Sequence, residues 1–498
     1  EYASGFLLWN ELSTTDMYAL AVGSADNGGK PWESQADTGR TLREEGLSAA
    51  DLDADKLVLT SSNHNVANVE KKDGKWVITP VQDGYGTANI LVKYTGKDTP
   101  IYGVIRLTVI QDTAQVRKNT PDATAKLAAP QMGAGMDFTV ALMSDGTVWA
   151  WGENGYGQLG DGTQIDRSMP IQVTTDIYGT PLKNITAISV GDSFVMALDK
   201  DGFVWTWGRN DVLQLGSGSN MAYRTYAQKV LVGGQPKESD EDLYLTNIRS
   251  IAAGDDFAGA VDQYGFVYTW GANDQGQLGI TNTTNASVPV RVLAGVSAPG
   301  ATQSGLTTAY TAVHQYMRDV VELAAGENHF VAMMDDGSVY AWGLNNKGQL
   351  GTEYTTTTVT SNGSTTYGRL SVPYQVTRGQ NEPGRADADT PRVNRYLHEV
   401  VEIAAGDDAS WFINTDHEIL MNGSFSSDRV NANNQYSVTE IFSAVRPTYF
   451  TVDPAVTARN TNGVTYPIAK ANGRPQEVYA FDAGADNLAF ITGTHASG

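Results

Sequence analysis

The chain has no cysteine among its 498 residues, so neither a disulfide framework nor a thiolate-ligated metal holds it together. Basic residues are scarce, 34 against 56 acidic, and the net charge of -22 repels a phosphate backbone and excludes duplex nucleic acid as a partner. Histidine occurs six times, at His64, His314, His329, His398, His417 and His495, and no pair has the spacing of a metal-binding helix or a zinc motif. No apolar run is long enough to cross a bilayer, which excludes insertion by a helix. The nucleophile elbow, the phosphate-binding loop and the dinucleotide fingerprint are all missing. No catalytic, cofactor-binding or metal-binding residue is therefore assigned, and the chain is expected not to be an enzyme.

What is present is a repeat. GMDFTVALMSDGTVWAWGENGYGQLG begins at Gly135, and related copies begin at Gly191, Gly254 and Gly326. In each copy a hairpin glycine (Gly146, Gly202, Gly265, Gly337) and a tryptophan (Trp151, Trp207, Trp270, Trp342) keep the same spacing, while the connectors lengthen along the chain. A fixed unit with elastic connectors is one supersecondary element repeated. Its β-branched and aromatic runs, joined by turns such as Asp199-Lys-Asp-Gly, read as hairpins, and two further apolar runs bring each unit to about four strands. Two copies are degenerate. The fifth, from Gly406, has His417 at the hairpin position and Asn422 in place of tryptophan; the sixth, from Gly484, has His495 at the hairpin position and stops before the last strand.

The spacing and the WGxNxxGQLG ending resemble the regulator of chromosome condensation repeat, a β-propeller family. The resemblance covers roughly residues 114–498, with the propeller itself at 131–498, and implies six blades, with seven as the alternative. Residues 2–10 resemble the strand that the sixth copy lacks, with Phe6, Leu7, Leu8 and Trp9 falling on the tryptophan strand of the repeat. They are expected to complete that blade, within the molecule or by exchange with a neighbour. Residues 1–39 form an N-terminal segment in which Asp16–Val22 reads as a strand and 11–39 as a whole is given no role. Residues 40–111 carry short strands at sandwich spacing, in an order that resembles a bacterial Ig-like domain of group 2. Residues 112–130 are a polar linker. The fold class is thus all-β, a propeller with an Ig-like β-sandwich.

Single residues carry little chemistry. His329 stands where earlier copies have Phe138, Phe194 and Phe257 and reads as a packing side chain. Trp149 and Trp151 alternate onto one face and read as core, not as a sugar cradle. Trp411 is expected to be buried as well. The acidic stretches at Glu238 and around Asp161 lack calcium-loop spacing and read as solvated loops. Long connectors rich in Tyr, Thr, Asn and Gly, at 161–184, 217–247, 280–318, 352–398 and 424–477, are suited to protein contact.

These features point to a non-enzymatic structural or adhesive protein outside the cell or on its surface, a mature chain whose signal peptide is already removed. Its partners are proteins, either copies of itself or a surface partner, with no nucleic acid, membrane insertion or cofactor. A secreted module that captures or inhibits one partner protein is the alternative. A nucleotide exchange factor or an enzyme fits the composition less well.

Overall fold

The computed structural model describes residues 17–22, 32–33, 56–64, 66–72, 75–80, 86–95, 101–111, 128, 130–234, 243–295, 316–335, 337–352, 358–359, 365–366, 368–377, 396–414, 419–430, 436–449, 458–459, 465–466, 478–483 and 488–492. Among them there is no α-helix.

The N-terminal part forms two sheets. Strands β1 (Met17–Val22), β2 (Trp32–Glu33), β3 (Leu57–Ser61), β4 (Ala67–Lys72), β5 (Lys75–Pro80), β6 (Gly86–Tyr94) and β7 (Ile101–Gln111) pair in the orders β1-β7-β6-β3 and β2-β5-β4. A boundary at residue 40 divides these sheets, because β1 runs parallel to β7 and β2 pairs with β5. A short apolar run such as Met17–Val22 does not disclose its partner until the chain folds back on it.

Five four-stranded blades follow, each an antiparallel meander in chain order. They are β8 (Gln131–Ala134), β9 (Phe138–Leu142), β10 (Val148–Gly152) and β11 (Arg167–Gln172); β12 (Ile185–Val190), β13 (Phe194–Asp199), β14 (Val204–Arg209) and β15 (Tyr223–Lys229); and β16 (Ile248–Ala253), β17 (Phe257–Asp262), β18 (Val267–Gly271) and β19 (Ala286–Arg291). In the fourth, β20 (Val320–Ala325), β21 (His329–Met334) and β22 (Val339–Leu344) are followed by a small hairpin, β23 (Thr358–Val359) with β24 (Thr365–Thr366), before β25 (Arg369–Gln375) completes the sheet. The fifth contains β26 (Val400–Ala405), β27 (Ala409–Asn414), β28 (Ile419–Val430) and β29 (Tyr436–Tyr449). A second small hairpin, β30 (Ala458–Arg459) with β31 (Thr465–Tyr466), precedes a two-stranded sheet of β32 (Val478–Ala483) and β33 (Leu488–Thr492) at the place of a sixth blade. The first strands β8, β12, β16, β20, β26 and β32 are successive neighbours, so they form the inner wall of the ring.

The long connectors expected from the sequence are not single loops. Each is cut by the outer strand of its blade, β11, β15, β19, β25 or β29. The stretch from Ser424, taken as loop, instead prolongs β28 and returns as β29, with Gly423 opposite Ala444. Runs such as Tyr436-Ser-Val-Thr-Glu-Ile-Phe are β-branched and aromatic enough to pair once a neighbouring edge is offered.

Candidate functional site

The repeated motif is a clasp between blades. Trp207 Nε1 donates to the Gln158 carbonyl at 2.9 Å, Trp270 Nε1 to Gln214 at 2.9 Å, and Trp342 Nε1 to Gln277 at 2.8 Å. Each acceptor lies in the Gln-Leu-Gly of the preceding blade. The asparagine of the motif holds that loop in place, since Asn154, Asn210, Asn273 and Asn345 each accept the amide of the leucine at 2.9 to 3.0 Å through Oδ1. The glycine that follows has positive φ, 61° at Gly216, and a Cβ there would lie 2.8 Å from Trp270 Nε1. Only glycine allows that turn to lie flat against the indole.

A three-residue pattern recurs at these seams. The first residue of a blade's second strand meets the second residue of the next blade's second strand and the tryptophan after it. Between blades 3 and 4 these residues are Phe257, Phe330 and Trp342, with ring centroids 4.8 and 5.3 Å apart. Between blades 4 and 5 they become His329, Ser410 and Asn422. His329 Nε2 lies 2.9 Å from Ser410 Oγ, Ser410 Oγ donates to the Gln349 carbonyl at 2.7 Å, and Asn422 Nδ2 donates to the same carbonyl. Asn422 thus replaces the indole donor.

A serine and a histidine in contact suggest a nucleophile and its base, but the geometry is wrong for that role. The one hydroxyl proton of Ser410 is committed to Gln349, so Ser410 Oγ accepts from His329 Nε2–H, the reverse of what a general base requires. Both residues are fully buried, and no hydrogen-bond partner orients His329 Nδ1. Burial pulls the imidazole down to about 3, so it is neutral. Sequence reading identified His329 as packing but missed Ser410, because nothing in the sequence sets the two strands side by side.

At one end of the ring the turns between inner and second strands converge. Met136 N donates to the Asp192 carbonyl at 3.0 Å and Asp192 N to the Asp255 carbonyl at 3.1 Å. A Cβ on Gly191 would lie 2.5 Å from the Gly254 carbonyl, which is why these turns open with glycine. Four carboxylates, Asp192, Asp255, Glu327 and Asp407, occupy the same position in successive blades. Burial, and then the neighbouring charges of Asp192, Glu327 and Asp407, push Asp255 up to about 8. Glu327 is raised by burial and by Asp407, Asp408 and Asp192.

The opposite end carries the hairpin glycines and the connectors between blades. Four of the five connectors are pinched at the neck by an isolated bridge: Thr174 with Pro181, Leu231 with Tyr244, Leu293 with Tyr316 and Thr377 with Tyr396. In blades 2 and 3 a cation also sits among three aromatic rings at the neck. Lys229 Nζ lies 3.4 Å from the Phe203 centroid, 5.3 Å from Trp205 and 5.7 Å from Tyr244. Arg291 repeats the arrangement over Phe266, Tyr316 and Tyr268 at 4.5, 5.1 and 5.7 Å. Lys229→Ala and Arg291→Ala should each cost about 1 kcal/mol. Hydrogen exchange should accelerate at Tyr244 and Tyr316 respectively, while the blade cores keep their protection.

The other expectations from the sequence are placed as follows. Trp411 is buried in the core of blades 4 and 5. Trp149 and Trp151 are half-buried, unlike the fully buried Trp207, Trp270 and Trp342. The carboxylate of Asp161 is taken up internally: against the cost of burial, hydrogen bonds from Thr163 and Arg167 hold it below its ordinary range, and Arg167 pairs with it at 2.7 Å. Among the described residues no group of His, Cys, Asp or Glu is arranged to hold a metal ion. Phe6, Leu7, Leu8 and Trp9, and the acidic stretch at Glu238, lie outside the described residues.

Known proteins share this repeat. Residues 145–198, 201–261, 264–333 and 336–413 match the regulator of chromosome condensation (RCC1) repeat, and a second description of that repeat matches 131–158, 185–214 and 320–349. E3 ubiquitin-protein ligase HERC2 of Homo sapiens is 28% identical over 224 residues, 44% of this chain and 4% of that protein. Ultraviolet-B receptor UVR8 of Arabidopsis thaliana is 31% identical over 222 residues, 44% of this chain and 42% of that protein. The chain therefore spans less than half the length of these relatives. Among solved structures, human WBSCR16 is 17% identical with a TM-score of 0.48, over 82% of this chain and 86% of that one. Prp20p of Saccharomyces cerevisiae is 18% identical with a TM-score of 0.43, over 73% and 83%. With the repeat matched over more than half its length and the four-stranded blades in place, the chain belongs to the regulator of chromosome condensation (RCC1) repeat family.

Proposed function

We propose that this chain is a non-enzymatic protein-binding propeller that acts outside the cell as a structural or adhesive surface protein. Its contact surface is the set of connectors at the hairpin end. The N-terminal sheets serve as a spacer of the bacterial Ig-like kind. The observation that carries this reading is the series of pinned necks: four connectors of different length and sequence are each closed by a bridge at the equivalent position. Variable segments on rigid necks lose little entropy on binding and suit protein recognition. The match to a repeat found in HERC2 and UVR8 supports a binding scaffold without a reaction of its own. The acidic balance and the absence of cysteine are compatible with an exported protein.

Closure or exchange through Phe6, Leu7, Leu8 and Trp9 belongs to the same reading. Trp151 is only half-buried where its counterparts are fully buried, which leaves room for a strand against blade 1. A secreted module that captures one partner is the second reading, and it uses the same connectors.

The test has two arms. Beads coated with the chain, and beads coated with a variant in which 296–315 and 378–395 are replaced by Gly-Ser linkers, are scored for retention on immobilised chain and on intact cells that make it. Protease shaving of those cells reports exposure. Retention that depends on the connectors, with the chain shaved from the surface, is expected. Equal retention by both bead types, or full protection from protease, would overturn the adhesive reading. Light scattering with and without residues 1–10 separates assembly through an exchanged strand from a monomer that captures a soluble partner.

A further inference from the structure

The seam between blades 4 and 5 is built unlike the others. The tryptophan of the seam pattern is replaced by Asn422, the apolar Val195, Ala258 or Phe330 of blades 2 to 4 by Ser410, and the His329 Nδ1 and Asn422 Oδ1 atoms are buried without hydrogen-bond partners. Buried polar atoms left unmatched weaken an interface that an indole would have sealed. The same two blades are the ones that the N-terminal part touches. On β6, Asn89, Leu91 and Lys93 alternate onto one face, while Ala88 and Ile90 are buried on the other.

Each of the three reaches the propeller. Asn89 Nδ2 donates to Glu322 of blade 4 at 2.9 Å and to the Val401 carbonyl of blade 5 at 3.0 Å. Val401 is the residue skipped where the β26–β27 register shifts, a bulge that turns its carbonyl out of the ladder. Leu91 is buried in one cluster with Val321, Val339, Val400 and Val401, and a Cβ on Gly337 would lie 3.3 Å from its Cδ1. Lys93 Nζ pairs with Glu399, which leads into blade 5, at 2.8 Å. One strand thus bonds to both sides of the seam that lacks its tryptophan.

We infer that β6 is a staple holding the blade 4/5 seam closed, and that these two blades part when the N-terminal unit lets go. The inference does not depend on the proposed function. Leu91 supplies the apolar contact, and Asn89 and Lys93 add directional polar contacts on either side of it along the strand. The three docking side chains lie on the face of β6 opposite Ile90, so they can be changed while the N-terminal core stays intact.

Hydrogen exchange of the full chain, read by mass spectrometry, tests it. In Asn89→Ala/Leu91→Ala, exchange in β21, β22, β26 and β27 should rise at least about tenfold, with β13, β14, β17 and β18 unchanged. Strands β3, β6 and β7 report whether the N-terminal unit remains folded. If they lose protection too, the decision passes to Lys93→Glu, which should raise exchange at the seam, and to Lys93→Glu/Glu399→Lys, which should restore it. Unchanged exchange at the seam, an equal rise in all blades, or no rescue by the charge swap would overturn the staple.

Discussion

Trp270→Ala should lower stability by about 3–5 kcal/mol, the cost of emptying a fully buried indole site. It would be measured as a shift in urea midpoint at unchanged slope. Two terms contribute. One is the lost contact with the flat face of Gly216; the other is the Gln214 carbonyl left without its donor. Trp270→Phe separates them in part, because it keeps a buried aromatic ring while removing Nε1–H and some of the indole volume, so a smaller loss of about 2–3 kcal/mol is expected. Trp151→Ala is the control. Its indole is half-buried, and its loss should cost clearly less. Equal losses at Trp151 and Trp270 would contradict the view that the clasp to a preceding blade, and not the residue type, is what stabilises.

Stability should fall as pH rises from about 6.5 to about 8, and Asp255→Asn should remove much of that slope. Burial and neighbouring carboxylates raise the folded pKa of Asp255 to about 8 against the ordinary 3.8, so the folded chain holds a proton that the unfolded chain releases. The stabilisation is complete below the unfolded value and is lost as pH passes through the folded one. Asp256, Asp192 and Glu327 are raised as well, chiefly by burial, and act in the same direction. At pH 8 Asp255→Asn is expected to stabilise by about 1–2 kcal/mol after allowance for solvent screening, and added salt should stabilise the wild type more than the variant. His329 contributes the opposite limb. Its folded pKa of about 3 lies below the ordinary 6.5, so its contribution is present above the latter and lost as pH falls toward the former. A flat profile from pH 6.5 to 8, or a wild type and Asp255→Asn with equal slopes there, would refute the reading of the carboxylate ring.

That ring shows where sequence reading stops. Each carboxylate follows a leading glycine and looks, along the chain, like an ordinary turn residue. Four ordinary turns become a mutually repelling cluster only because successive inner strands face one axis. The connectors illustrate the same limit. Distances between motifs measured their total length, but the outer strand within each was hidden, because β-pairing depends on an edge contributed by another part of the chain.

From the amino-acid order alone follow the repeat, its strand content, the packing role of the repeat tryptophans and the degenerate fifth copy. Periodicity and turn chemistry are local, so spacing is enough to reveal them. Tertiary structure decided what meets across the seams. Examples are the Gln214 carbonyl under Trp270, Ser410 against His329, Asn89 between blades 4 and 5, and Tyr244 closing over Lys229. Those pairs lie 56, 81, 312 and 15 residues apart in sequence; the first two are brought together by the packing of successive blades, and the third by the docking of the N-terminal sheet on blades 4 and 5.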